Sequence, residues 1–246
     1  MCDAIESAPG TGWRGWNASD AVRPTEAAGD WIDLTWPLSP NVPRIGSFPA
    51  PRIERIASIP DKPLNVTELS MVVHVGTHVD SPRHVFSDAP ALEDAPLTRL
   101  MGTGVAWRID KPPYGMIEPE DLERMRPRLE PGDILLLDTG AAQHVGTPDY
   151  DRHPSVSMAA GRWLVDKATK LLAVDTPTPE VSIHKRPDGF NLPVHRTLLR
   201  DGVLIAEQVT NASSLCGHRA EFLFLPLNIV GGDGAPARVL GRPIRD

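Results

Sequence analysis

Apolar residues in this chain gather into short runs bounded by Pro or Gly. "WIDLTWPL" from Trp31, "LNVTELSMVVHV" from Leu64, "GVAWRID" from Gly104 and "DILLLDTG" from Asp133 are rich in Val, Ile, Leu and Thr. That pattern predicts buried or half-buried strands. "LLAVDTP" from Leu171, "VLIAEQVTN" from Val203 and "FLFLPLNIV" from Phe222 resume it. Two segments read as helices instead. Glu118 to Arg126 has an early Pro and acidic residues in its first turn, and Ser157 to Lys170 follows a Ser N-cap with apolar side chains at helical spacing. Strands interleaved with helices predict a single α/β domain over residues 31–246, with a central mixed sheet that carries the functional site and helices flanking it.

Residues 1–30 break the pattern. They are small, polar and Gly-rich apart from Trp13 and Trp16. This reads as an extended arm whose two aromatic anchors dock on the body of their own chain or on a partner subunit. Prolines, 26 in 246 residues, crowd stretches such as "TWPLSPNVPRIGSFPAPRI", so many connections should be rigid and non-helical.

Charge and cysteine content narrow the function. A net charge of -7 without a basic run argues against nucleic-acid and anionic-membrane surfaces and favours small-molecule chemistry. Cys2 and Cys216 lie far apart, which favours free thiols in a reducing compartment. The chain has no apolar stretch long enough to span a bilayer, and its first thirty residues lack the plan of a secretory signal, so a cytoplasmic protein is expected.

The densest chemistry lies between Val73 and Val85, where "HVGTHVDSPRH" places His74, His78, Asp80 and His84 within eleven residues. Imidazole nitrogen and carboxylate oxygen are the donors that zinc or manganese selects. A helix is disfavoured by five β-branched residues between Val72 and Val79, by Gly76 and by Pro82. A straight strand would hold His74 and His78 about 13 Å apart, too far to share an ion. The chain must fold back, and Gly76 permits the bend. This predicts His74 at a strand end, His78 and Asp80 on the following turn, and Pro82 stiffening the return that brings in His84. His144, His153, His184 and His218 read as structural or surface residues.

With these residues in view, the chain resembles the cyclase family of bacterial kynurenine formamidases and isatin hydrolases. His74 to His84 matches the pattern His-x-Gly-Thr-His-x-Asp-x-Pro-x-His. "IDLTWPLSP", "LLLDTG", "YDRHPSVS", "LLAVDTPTPE", "HRTLLRDGVLIAEQVTN" and "PLNIVGGDGAPARVL" follow in order, extending the similarity over roughly residues 31 to 241. "DTGAAQH" departs from the Arg-Thr-Gly-Trp-like string more usual in relatives. The resemblance implies a swivelling β/β/α fold. It implies one divalent ion on His74, His78 and Asp80, and a second completed by His195 and Glu207 with Asp80 bridging, zinc favoured over manganese. It also implies His84 as the proton-transfer residue and a homodimer or higher homo-oligomer.

The chemistry so implied is metal-assisted hydrolysis of a small amide, in which the metal acidifies water and polarises the carbonyl. N-formylkynurenine is the leading substrate and isatin or another cyclic amide the next. A non-catalytic metal- or ligand-binding protein on the same fold is the alternative of another class. His84 argues against it, because a mere binder has no use for a base beside a full ligand set.

Overall fold

The computed structural model describes residues 13–16 and 26–245. The strands are β1 (Ile32–Asp33), β2 (Arg52–Ala57), β3 (Val66–Ser70), β4 (His78–Asp80), β5 (Met101–Arg108), β6 (Met116–Ile117), β7 (Ile134–Asp138), β8 (Ser155–Val156), β9 (Leu171–Val174), β10 (Leu204–Glu207), β11 (Arg219–Pro226) and β12 (Gly234–Pro243). The α-helices are α1 (Pro119–Glu123), α2 (Met158–Asp166) and α3 (Pro193–Arg200).

Among the described residues, eight strands form one mixed sheet in the order β1-β12-β11-β5-β7-β9-β10-β4. A further pairing of β4 with β12 closes it into a barrel. β5, β7, β9 and β10 run parallel, and the rest pair antiparallel. Of the parallel strands, β7, β9 and β10 read as apolar runs because both their faces are covered. Along β7, Ile134 and Leu136 join the core inside the barrel, while Leu135 and Leu137 join the core beneath the helices. Leu171 and Ala173 alternate with Leu172 and Val174 in the same way, as do Leu204 and Ala206 with Ile205.

The α/β reading holds; both expected helices are shorter than the patterning suggested, and a third, α3, joins them. Helix α2 starts as predicted, on Ser157, whose hydroxyl accepts from the Ala160 amide at 3.0 Å. Helix α1 is a single short turn. Helix α3 is not marked by the apolar pattern; it lays Val194, Leu198 and Leu199 on the outer face of the sheet beside α2.

Trp13 is buried in the core under the helices, edge-to-face with Trp16 at 5.0 Å, and Arg99 lies over Trp16 at 5.1 Å. These tryptophans thus dock on their own chain; the rest of the expected arm falls largely outside the described residues. No helix among the described residues is long and apolar enough to cross a membrane.

Candidate metal centre

The fold-back at Gly76 is present, but the elements on either side of it are exchanged relative to the sequence expectation. His74 lies on the turn before the bend, whereas His78 and Asp80 form the strand after it. The loop at residues 36–48 accounts for the difference. The Gly76 amide donates to the Pro43 carbonyl at 2.9 Å, so this stretch hydrogen-bonds to a loop and not to a sheet. Gly76 has φ +70°, and a Cβ there would stand 2.8 Å from Val42 Cγ2, so only glycine fits.

Strand β4 is three residues long, and alternation decides its chemistry. Val79 points into the barrel, which turns His78 and Asp80 together to the outer face. Directly opposite His78 in the antiparallel pair stands Glu207, the last residue of β10. Beyond Asp80, Pro82–His84 forms one 3₁₀ turn that swings His84 over His74, ring centres 4.1 Å apart. Helix α3 supplies His195, whose ring centre lies 5.7 Å from that of His84.

The structure therefore brings together all six residues singled out from the sequence. His74 Nδ1 is 2.7 Å from Asp80 Oδ1, and His78 Nε2 is 3.3 Å from the same oxygen. His78 Nε2 also lies 3.4 Å from Glu207 Oε2, while His195 Nε2 lies 3.2 Å from Glu207 Oε1 and 3.6 Å from Asp80 Oδ2. His78, Asp80, His195 and Glu207 are all buried. None of the other four histidines joins the cluster; His153 is buried, and its Nδ1–H donates to the Pro154 carbonyl.

Two acidic residues escaped the sequence reading. Glu180, fully buried, accepts through Oε1 from both the backbone amide of His195 (2.8 Å) and its Nδ1–H (3.0 Å). That carboxylate caps the first turn of α3 and leaves His195 Nε2 as the free lone pair. Asp233 hydrogen-bonds His74 Nε2 at 2.8 Å and lies 3.6 Å from His84 Nδ1. Its neighbour Gly234 gives the His74 ring its room, since a Cβ there would meet His74 Cε1 at 2.7 Å. Glu180 closes the string "DTPTPE" and Asp233 sits in "GGDGAP". A carboxylate just past a strand end, or between glycines, was the available signal.

The electrostatics ask for positive charge at this place. Burial disfavours imidazolium, yet the Asp80 charge and hydrogen bonds to Asp233 and Asp80 push His74 up to about 9. Against the same burial, Asp80 and then Glu207 push His78 to about 10. His195 is also raised, by Asp80, Glu180 and Glu207 acting against burial. Burial opposes ionisation of Asp80 as well, but the neighbouring imidazoles hold it well below the usual carboxylate range. In this arrangement protons do what cations could do.

Two buried atoms show where a cation fits. His78 donates its Nδ1–H to the Gly76 carbonyl at 2.7 Å, so its Nε2 is the lone-pair nitrogen. That Nε2 and Asp80 Oδ2 are fully enclosed and make no hydrogen bond among the described residues. A lone pair facing carboxylate oxygens in a dry site is repulsive unless a proton or metal stands between them. His74, His78 and Asp80 present ligand atoms close enough to share one ion, as do Asp80, His84 and His195, and His74, His84 and Asp233. The cluster forms one wall of a cavity of about 180 Å³, lined on other sides by Ile45, Phe48, Ile183, Leu192 and Arg186.

Comparison with known proteins agrees with this geometry. The family described as "Putative cyclase" matches residues 32–181. A kynurenine formamidase of Bacillus mycoides is 30% identical over 216 residues, covering 87% of this chain and 98% of that protein. Isatin hydrolase A from Labrenzia aggregata, solved with benzyl benzoate, superposes with a TM-score of 0.77 at 23% identity, over 88% of this chain and 94% of that one. A "potential metal-dependent hydrolase with cyclase activity" superposes with a TM-score of 0.71 at 25% identity, over 88% and 98% of the two chains.

Proposed function

The chain belongs to the cyclase family, and from that premise we propose that it is a metal-dependent hydrolase of small amides, acting first on aryl formamides such as N-formylkynurenine. One observation carries the reading: three imidazoles and two carboxylates converge in a dry site in which His78 Nε2 and Asp80 Oδ2 lack any other partner.

In the proposed arrangement His74, His78 and Asp80 would hold one divalent ion, and Asp80, His195 and Glu207 would hold a second, zinc being the favoured metal. Such ions acidify water and polarise a carbonyl. The chain's own residues do the rest. Glu180 and the Gly76 carbonyl fix the tautomers of His195 and His78, so both rings face the centre without rearrangement. The apolar wall of Ile45, Phe48, Ile183 and Leu192 packs the aryl group and excludes bulk water.

His84 takes the proton of the attacking water. As the water oxygen bonds to the carbonyl carbon and the C–N bond breaks, His84 returns a proton to the departing nitrogen. Asp233, 3.6 Å from its Nδ1, stabilises the charged ring in between. An aryl formamide yields formate and an aryl amine, whereas a cyclic amide such as isatin would open to an amino acid.

The ribbon of β2 and β3 supports a homo-oligomer. It pairs with no other strand among the described residues and exposes Ile53, Ile56 and Leu69, so a second copy would cover apolar surface that water now meets. The sparse cysteines support a reducing, cytoplasmic setting.

The test has three arms. Elemental analysis of protein purified without chelator should find one to two divalent ions per chain. The zinc- or manganese-loaded protein should hydrolyse N-formylkynurenine or formanilide faster than isatin. His84→Ala should keep its metal and lose about 100- to 10,000-fold in turnover. A chain that retains no metal when offered zinc and manganese overturns the proposal, and a His84→Ala protein that loses its metal makes His84 a ligand.

A further inference from the structure

Arg186 lines the same cavity as His74, His84, His195 and Glu207. The proposed hydrolysis has no use for it: the ligand set and the proton carrier are complete without a guanidinium. An arginine placed beside a cation-binding cluster repels the very ions that site is built to hold. Such a charge needs a reason to be there.

The side chain is half-buried and held from two sides. Its Nε–H donates to the Val181 carbonyl at 2.9 Å, and its guanidinium lies over the Phe190 ring at 4.9 Å. Both contacts leave the two terminal nitrogens uncommitted, and among the described residues no carboxylate pairs with them. A guanidinium fixed at Nε and stacked on a ring presents two parallel N–H groups, the fork that matches a carboxylate. Ile45, Phe48, Ile183 and Leu192 make the rest of the wall apolar apart from the hydroxyls of Ser47 and Thr178, so Arg186 is the permanent positive charge that faces an anion there.

We infer that Arg186 determines specificity: its guanidinium binds a carboxylate on the substrate, which is therefore a carboxylate-bearing amide with an apolar body between its acid group and its scissile bond. The inference rests on the amide-hydrolase reading for the word amide, but the anion site stands on its own geometry.

Paired probes separate the two ideas. Binding of 2-aminobenzoate and of neutral 2-aminobenzamide to the metal-loaded protein is measured by calorimetry, for the wild type, Arg186→Gln and Arg186→Lys. Loss of a charge-assisted fork should weaken 2-aminobenzoate about 10- to 100-fold in Arg186→Gln. Arg186→Lys should recover part of the loss, because it restores charge without the planar fork. Neutral 2-aminobenzamide should bind all three proteins alike, which also shows that the variants are folded. Equal weakening of both probes, or of neither, overturns the inference.

Turnover of N-formylkynurenine and of its carboxamide analogue is then compared, with Arg186→Gln expected to raise KM for the acid alone and leave kcat nearly unchanged. A protein that binds the anion through Arg186 yet turns over neither amide keeps the anchor and loses the hydrolase reading. One that turns over both amides equally, before and after the substitution, keeps the hydrolase and loses the anchor.

Discussion

Replacing Glu180 with glutamine separates what its charge does from what its shape does. The residue is fully buried, and one oxygen, Oε1, accepts both the His195 amide and His195 Nδ1–H. A glutamine oxygen can take both bonds at nearly the same positions, so the helix cap and the tautomer survive. The negative charge behind the ring does not, and with it goes the added basicity of His195 Nε2. Substitutions behind a metal ligand typically cost 10- to 100-fold in affinity, or about 1.4 to 2.8 kcal/mol. The other oxygen, Oε2, is enclosed without a hydrogen-bond partner, so the new amide N–H₂ adds about 1 to 3 kcal/mol of fold destabilisation that is independent of metal. The two effects are therefore measurable apart.

Zinc competition against a chromophoric chelator, at fixed pH, reads the first effect, and thermal unfolding of the chelated proteins reads the second. Glu180→Gln should weaken zinc about 10- to 100-fold, with the loss confined to the site proposed at His195 and Glu207. Glu180→Ala should unfold more easily still, because two buried N–H donors lose their acceptor. Wild-type zinc affinity in a folded Glu180→Gln protein would refute the reasoning, reducing the carboxylate to a cap for α3.

Two further predictions come from the same cluster. Gly234→Ala places a methyl 2.7 Å from His74 Cε1 and 2.8 Å from the Val79 carbonyl, so both the ring and the paired strand must shift. It should cost about 1 to 3 kcal/mol, and the metal-to-chain ratio should fall, whereas an unchanged ratio counts against His74 as a ligand. In chelated protein His74 and His78 stand at about 9 and about 10, above the 6.5 of an unfolded chain. Their stabilisation is then complete below pH 6.5 and is lost as pH rises through 9 to 10. The melting temperature of the metal-free form should fall over that range while that of the zinc-loaded form does not, since metal binding needs neutral imidazole; parallel profiles would contradict it.

The parallel strands were legible in the sequence for a simple reason. "ILLL", "LLAV" and "LIA" are buried on both faces, and a short continuous apolar run between turn residues is what a strand covered on both sides requires. Strand β12 was hidden by Pro236 and Pro243, which read as loop and are tolerated only where a ladder position has no donor to supply. Helix α3 was missed although Pro193 marks its first turn, because its apolar stripe is short and its N-cap, Leu192, has no capping side chain. The cluster at His74 to His84 could be seen because its donors are dense within a single bend. Asp233 could not, since a lone Asp between glycines looks like any turn until β12 brings it 159 positions back to His74.

Strand order decides which carboxylate serves the site. Three successive parallel strands end in an acid: Asp138 at the end of β7, Asp175 just after β9 and Glu207 at the end of β10. Local pattern cannot rank them, because "LLDTG", "AVDTP" and "IAEQ" are equivalent strand-to-loop exits. Asp175 spends its oxygens on Thr139 and the Ala142 amide, and Asp138 on Gly140 and Arg108. Only β10 lies beside β4, in the register that sets Glu207 opposite His78. The metal centre thus comes into being when a three-residue strand inserts between β10 and β12 and closes the barrel, so ligand assembly and barrel closure are the same structural event. Any substitution that frees β4 from either neighbour should therefore release metal and loosen the fold together.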